Sequence, residues 1–196
     1  MKKLYILLPI FIVFCHLPVK AQFFNKLLGI HYQNGYVVLK NGDTLKGKIL
    51  FNNGYENYQF LEFKDSLKNK ATTYQPQEVR FFSIDSLDFY PKKWGNRSVF
   101  MCLLLNDSLK VFLYRYYMTS GNRSGTETSY FFEKPSREFL QVFWNQSYPF
   151  QLKAAEFFSD CPELSEKIRN GKYTIDDLFL VAKEYNKWLR TRQSTK

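Results

Sequence analysis

Tyr36-Val37-Val38-Leu39-Lys40-Asn41-Gly42-Asp43-Thr44-Leu45-Lys46-Gly47-Lys48-Ile49-Leu50 sets Asn-Gly between two β-rich runs. Asn and Gly both tolerate positive φ, so the pattern predicts a tight β-hairpin. In the second run Leu45, Gly47 and Ile49 share one face, while Lys46 and Lys48 share the other. That is the two-residue period of a strand with one side buried. Glycine inside such a strand marks a bulge or a close approach of backbone, and Gly47 takes that role. Asn52-Asn53-Gly54 ends the segment.

Further strands follow at short intervals. Residues 57–63 read as one, residues 78–83 as another after Pro76, and residues 86–90 as a third that stops at Pro91. Residues 99–105 and 108–118, joined through Asn106-Asp107, read as a long hairpin. Its first strand is apolar on both faces and is therefore expected to be central and covered. Residues 119–128 are rich in Gly, Ser, Thr and Asn and read as a mobile loop, with a strand returning over 129–133. Short, regularly spaced strands of this kind predict a curved antiparallel β-sheet or a small β-barrel over residues 35–134.

Beyond residue 134 the apolar period lengthens to that of a helix. Residues 138–144 and 150–158 read as helical. Asp160, with Glu163 three positions on, fits a capping box for a helix ending near Asn170-Gly171. Thr174 caps the next, with Asp176 and Asp177 at its positive end. There Leu178, Val181, Ala182, Tyr185, Trp188 and Leu189 form one apolar stripe that must be buried. The fold class is thus α+β: residues 22–134 an antiparallel β domain, residues 135–196 a C-terminal helical segment packed on the same core.

Working back to the start, Lys2 and Lys3 precede an uncharged apolar run over residues 4–14. Val19-Lys20-Ala21 puts small residues three and one positions before Gln22. Charge, length and site together predict a secretory signal peptide over residues 1–21, cut between Ala21 and Gln22. The apolar run is too short to span a bilayer. Phe14 before Cys15 argues against a lipid-anchored cysteine. The mature chain is expected to carry no transmembrane span and to work outside the cytoplasm, in the periplasm or at the cell surface.

Export constrains the rest. The signal removes Lys2, Lys3 and Lys20 and no acid, so a net charge of +10 becomes +7. It also removes Cys15 and His16. Cys102 and Cys161 remain as one candidate disulfide pair in an oxidising compartment, or as two ordinary buried thiols. His31 is left as the one histidine, in a lead-in segment without a nucleophile motif, so neither a Ser-His-Asp nor a Cys-His site is expected. Two distant cysteines and one histidine do not make a zinc site. No calcium loop or glycine-rich phosphate loop occurs, and no catalytic, cofactor-binding or metal residue is assigned. The acids are scattered at turns and helix starts, where capping and solvation account for them.

Aromatic residues make up 19% of the chain. Most sit inside alternating strand patterns, where Phe and Tyr suit a pleated, half-buried surface. A basic, aromatic-rich sheet also invites a nucleic-acid reading. Residues 35–50 resemble the first strand pair of an Sm-type small barrel, with Leu39, Gly42 and Gly47 in similar roles. Export and the dispersal of Lys and Arg argue against a nucleic-acid partner.

One tripeptide recurs: Asp43-Thr44-Leu45, Asp65-Ser66-Leu67, Asp85-Ser86-Leu87 and Asp107-Ser108-Leu109. It resembles the acceptor motif for O-glycosylation of exported proteins in Bacteroidota-type bacteria, which would make Thr44, Ser66, Ser86 and Ser108 acceptors. Equally, Asp and Ser/Thr are ordinary turn residues before strands. The mature chain as a whole resembles an uncharacterised family of secreted Bacteroidota proteins. The likeness rests on the signal ending Ala21-Gln22, the opening from Gly35 to Ile49, and Tyr74-Gln75-Pro76-Gln77-Glu78-Val79. It closes on Asp160-Cys161-Pro162-Glu163-Leu164, Lys167-Ile168 and Tyr185-Asn186. The resemblance implies an exported protein and supplies no activity. The expectation is an exported, non-enzymatic binding or interaction protein of the bacterial envelope, its partner an envelope protein or a glycan. The alternatives are a carboxylate-dependent carbohydrate-active hydrolase and a structural component of an envelope assembly.

Overall fold

The computed structural model describes residues 30–52, 58–66, 70–121, 123–142 and 150–193. The signal peptide, its Ala21-Gln22 cut and Leu67 lie outside the described residues. Ten antiparallel strands form one sheet: β1 (Ile30–Leu39), β2 (Thr44–Asn52), β3 (Leu61–Asp65), β4 (Ala71–Tyr74) and β5 (Val79–Ile84), then β6 (Leu87–Trp94), β7 (Arg97–Leu105), β8 (Lys110–Ser120), β9 (Arg123–Glu133) and β10 (Phe139–Val142). Their spatial order is β10-β9-β8-β7-β6-β5-β1-β2-β3-β4. Helices α1 (Phe150–Phe157), α2 (Pro162–Arg169) and α3 (Leu178–Gln193) follow, α3 entered through a 3₁₀ turn over Ile175–Asp177. The class is α+β, as expected.

Of the two sheet forms, the curved open one is found and the closed barrel is not. β10 and β4 are the two ends of the strand order. Curvature is nonetheless strong. Trp94 Nε1 of β6 donates to Gln141 Oε1 of β10 at 2.9 Å, and Lys92 of β6 meets Glu133 of β9 at 2.5 Å. With neighbouring strands ~4.8 Å apart, four steps from β6 to β10 across a flat sheet would be about 19 Å. The sheet must curl to bring those side chains together.

The expected opening hairpin forms, with Val38 opposite Thr44 and Gly35 opposite Gly47. Its turn differs from the Asn-Gly expectation. Leu39 N–H donates to Asp43 O and Gly42 N–H to Leu39 O, a three-residue loop in which only Gly42 has positive φ, at 100°. Gly47 is a close approach: a Cβ there would lie 2.4 Å from Lys64 O on β3, and one on Gly35 would lie 2.4 Å from Ser83 O on β5. The missing side chains let Ile49 and Phe63 press onto the backbone from the core side.

Several boundaries shift, each for a physical reason. β6 runs through Pro91 to Trp94, because past Phe89 it pairs with β7 alone, so the absent Pro91 N–H costs no bond to β5. The expected loop over 119–128 is instead the paired arm of β8 and β9, from Tyr117 opposite Thr126 to Ser120 opposite Arg123. Thr favours strands, and a ladder beyond the core needs no apolar face. Strand β3 begins at Leu61, and β4, short and exposed at the sheet edge, carries no apolar alternation to announce it. Residues 139–142, expected to be helical, form β10. Leu140 and Val142 turn to the helices and Phe139 to the other side, and an apolar run that short does not distinguish helix from strand.

β7 is covered on both faces, with Val99, Phe100, Met101 and Cys102 consecutively buried. It joins two apolar clusters. One lies within the curled sheet around Val37, Phe82, Phe89, Phe100 and Phe131. The other lies between the β8–β10 side and the helices, around Val111, Phe132, Phe158, Leu164 and Val181. Full burial of each such side chain contributes about 2 kcal/mol. In α3, Leu178, Val181, Ala182 and Tyr185 are buried and Trp188 and Leu189 partly so, which is the expected stripe. Thr174 accepts from Asp176 N–H while Asp177 reaches back to Thr174 N–H, a complete capping box. At α2 the expected box is absent. Cys161 is the N-cap, without a side-chain bond, and Asp160 is drawn elsewhere.

That elsewhere is Lys134, which is buried. Its Nζ donates to Asp160 Oδ1 at 2.8 Å and to Phe157 O, and Tyr185 Oη donates to Asp160 Oδ2 at 2.5 Å. Asn186, 1% exposed, accepts from Leu109 N–H at 2.6 Å and donates to Leu109 O at 3.2 Å. Arg190 adds an ion pair to Asp107 at 2.9 Å. The turn between β7 and β8 is thereby fastened to α3.

Candidate functional site

On the opposite side of the β1–β2 backbone from Ile49 and Phe63, sheet register lays polar side chains in a row across four adjacent strands. Lys46 of β2 stands opposite Tyr36 of β1, Tyr36 opposite Ser83 of β5, and Ser83 opposite Asp88 of β6. Period-two alternation puts them on one face because Leu45, Val37, Phe82 and Phe89 take the other. The row lines an open cleft of about 710 Å³, with Gly35 and Gly47 in its wall. Asn34 and Ser66 border it, and the β5–β6 turn, Asp85-Ser86, closes one side.

That turn is strained. Asp85 has φ 47° and Ser86 has φ 69°. A two-residue hairpin with both φ positive normally carries Asn-Gly or a similar pair, since a Cβ is disfavoured there. Here two residues with side chains occupy it, both exposed and both lining the cleft.

None of the cleft's polar groups on this row or turn is tied to protein. No described residue hydrogen-bonds the side chains of Lys46, Ser83, Asp85, Ser86 or Asp88. For the exposed ones, water suffices. Ser83 is different, because only 7% of it is exposed. Its hydroxyl still reaches solvent, and it does so at the cleft wall. Beside it the Tyr36 ring meets Phe81 edge-on at 5.8 Å, and Phe81 stacks on Tyr90 at 5.3 Å. Burial, then the Asp88 carboxylate and Tyr36, raise the Tyr90 phenol above its ordinary value.

The residues singled out from sequence fall elsewhere or only partly here. Cys102 and Cys161 are both free and buried, one in each apolar cluster, so no disulfide joins them. Burial raises both thiols, Cys102 to about 11, which leaves them protonated and inert. His31 packs edge-on against Phe51, its Nε2 2.7 Å from Gln33 Nε2. Its Nδ1 is buried without a partner. Among the described residues no group of three or more His, Cys, Asp or Glu side chains is placed to hold a metal ion. Of the Asp-(Ser/Thr)-Leu sites, Thr44, Ser66 and Ser86 are exposed and Ser108 is half-buried. Ser66 and Ser86 both border the cleft, which spacing along the chain could not reveal. Ser83 and Asp88 were not singled out. The signal was there: a Ser and an Asp on the polar face of aromatic strands, visible once the register of β5 and β6 is known.

A second hollow of about 530 Å³ lies along α2 and α3. There Lys167 bridges Glu163 at 2.6 Å and Glu184 at 2.7 Å, so both carboxylates that line it are paired. Among the described residues no helix is long and apolar enough to cross a membrane. No family model, no curated protein and no solved structure matches the chain.

Proposed function

We propose that this protein is an exported, non-enzymatic binding module of the bacterial envelope, acting in the periplasm or at the cell surface through the Lys46–Asp88 cleft. Export rests on the signal features of residues 1–21 and on the resemblance to secreted Bacteroidota proteins. The observation that supports the binding role is the row of Lys46, Tyr36, Ser83 and Asp88, which strand register lays along one cleft. A ligand that hydrogen-bonds several of these groups at once takes the place of the water on them.

Binding is favoured over hydrolysis because the two carboxylates that line the cleft, Asp85 and Asp88, come from one hairpin. Carboxylate catalysis needs an acid and a base on two sides of the scissile bond. The test is retention of the labelled mature chain on the envelope fraction of its native host, compared with Ser83→Phe, which fills the cleft, and Lys46→Glu, which is exposed and leaves the core alone. Saturable retention lost in both variants supports the reading. Equal retention of wild type and both variants overturns it.

A further inference from the structure

Resting on that reading, we infer that the cleft takes a neutral sugar, a short stretch of uncharged polysaccharide or oligosaccharide. Its donors and acceptors are of mixed kind: an ammonium on Lys46, carboxylates on Asp85 and Asp88, hydroxyls on Ser83 and Ser86, and the Asn34 amide. An ammonium only donates and an ionised carboxylate only accepts, so one ligand must offer both functions at several closely spaced points. Sugar hydroxyls do this, each donating once and accepting twice. An anion would face two carboxylates, a simple cation would face Lys46, and an apolar group would seal Ser83 away unpaired. Tyr36, its ring set by Phe81 at 85°, adds an amphipathic surface against which the C–H side of a sugar ring packs. The volume, about 710 Å³, lies in the range of small-molecule sites.

Strain is the independent argument. The Asp85-Ser86 turn keeps two side chains at φ 47° and 69°, where Asn-Gly would be relaxed. Strain of this sort persists where side chains are needed for something other than stability. Both side chains border the cleft, one accepting and one able to do either, which is the complement of a vicinal diol.

The test is a backbone-amide NMR titration of the mature chain. The probes are neutral gluco-, manno- and xylo-configured hexasaccharides, a uronic-acid hexasaccharide and a tetraalanine peptide. A neutral sugar is expected to shift Gly35, Gly47, Ser83 and Asp88. The variant Asp85→Asn/Ser86→Gly is expected to fold and to bind about tenfold more weakly, as loss of one or two hydrogen bonds requires. Silence from all neutral sugars overturns the sugar assignment. If envelope retention still depends on Ser83 and Lys46, the binding site stands and only its ligand class falls. Shifts by the uronic acid or the peptide alone have the same meaning. Sugar-induced shifts confined to the helices, unchanged in Lys46→Glu, overturn both.

Discussion

The helix-covered side of the sheet and the bare side around the cleft treat polar groups in opposite ways. Under the helices, Lys134, Asn186 and Ser165 are each 7% exposed or less and each hydrogen-bonded to protein. In the cleft Ser83, though 7% exposed as a whole, has no partner among the described residues, and its hydroxyl meets solvent instead. The first pattern is what a fold does to stay together. The second is what remains when a surface is kept for something that arrives from outside.

Substitutions can press on that contrast from either side. The largest effect is expected at Lys134→Met, which takes the donor from Asp160 Oδ1 and from the Phe157 carbonyl. Urea unfolding should show a loss of about 3 kcal/mol, since a charge-assisted bond is lost and the Phe157 carbonyl is left unpaired. Asn186→Leu strands both polar groups of Leu109 and should cost about 2 kcal/mol in the same assay. On the bare side the sign reverses. Asp85→Asn/Ser86→Gly relieves two positive-φ strains and should raise stability by about 1 kcal/mol. Destabilisation there would break the comparison.

Acid gives a smaller and graded reading. Burial acts to raise the Asp160 carboxyl, but hydrogen bonds from Lys134 and Tyr185 outweigh it and hold the group below its ordinary value. A carboxylate depressed in the folded state contributes fully above its unfolded pKa, about 4, and loses that contribution as pH falls through the folded value. Unfolding midpoints taken from neutral pH into acid should therefore fall less steeply in Lys134→Met than in wild type. The last prediction changes no stability. If the protein exported by its native host carries sugar on the Asp-(Ser/Thr)-Leu motifs, peptide mapping should find Thr44, Ser66 and Ser86 occupied before half-buried Ser108.

Much of this architecture was legible in local pattern and little of its chemistry was. The opening hairpin, the twice-buried β7, the Thr174 cap and the α3 stripe are short-range signals, decided by period and by residues within four positions. Asp160 reads as a cap by the same local logic. It is taken by Lys134 and Tyr185, 26 and 25 positions away, which spacing cannot show. The turns exchange roles for a similar reason. Asn41-Gly42 has the sequence of a two-residue turn and forms a three-residue one, while Asp85-Ser86 forms the two-residue turn its sequence disfavours. There the strand register, set by Phe82 opposite Phe89, overrides local preference. The cleft was hidden because its row draws one residue from each of four strands.

The fastening of the β7–β8 turn to α3 sets an order of events. Leu109 and Asn186 are 77 positions apart, and Asp107 and Arg190 are 83 apart. A chain that emerges N-terminus first can pair every strand while Leu109 still lacks its partner. Contacts of such long separation form late and slowly. Helix α3 thus closes over the turn as a latch, and the turn stays open to water until Asn186 and Arg190 arrive.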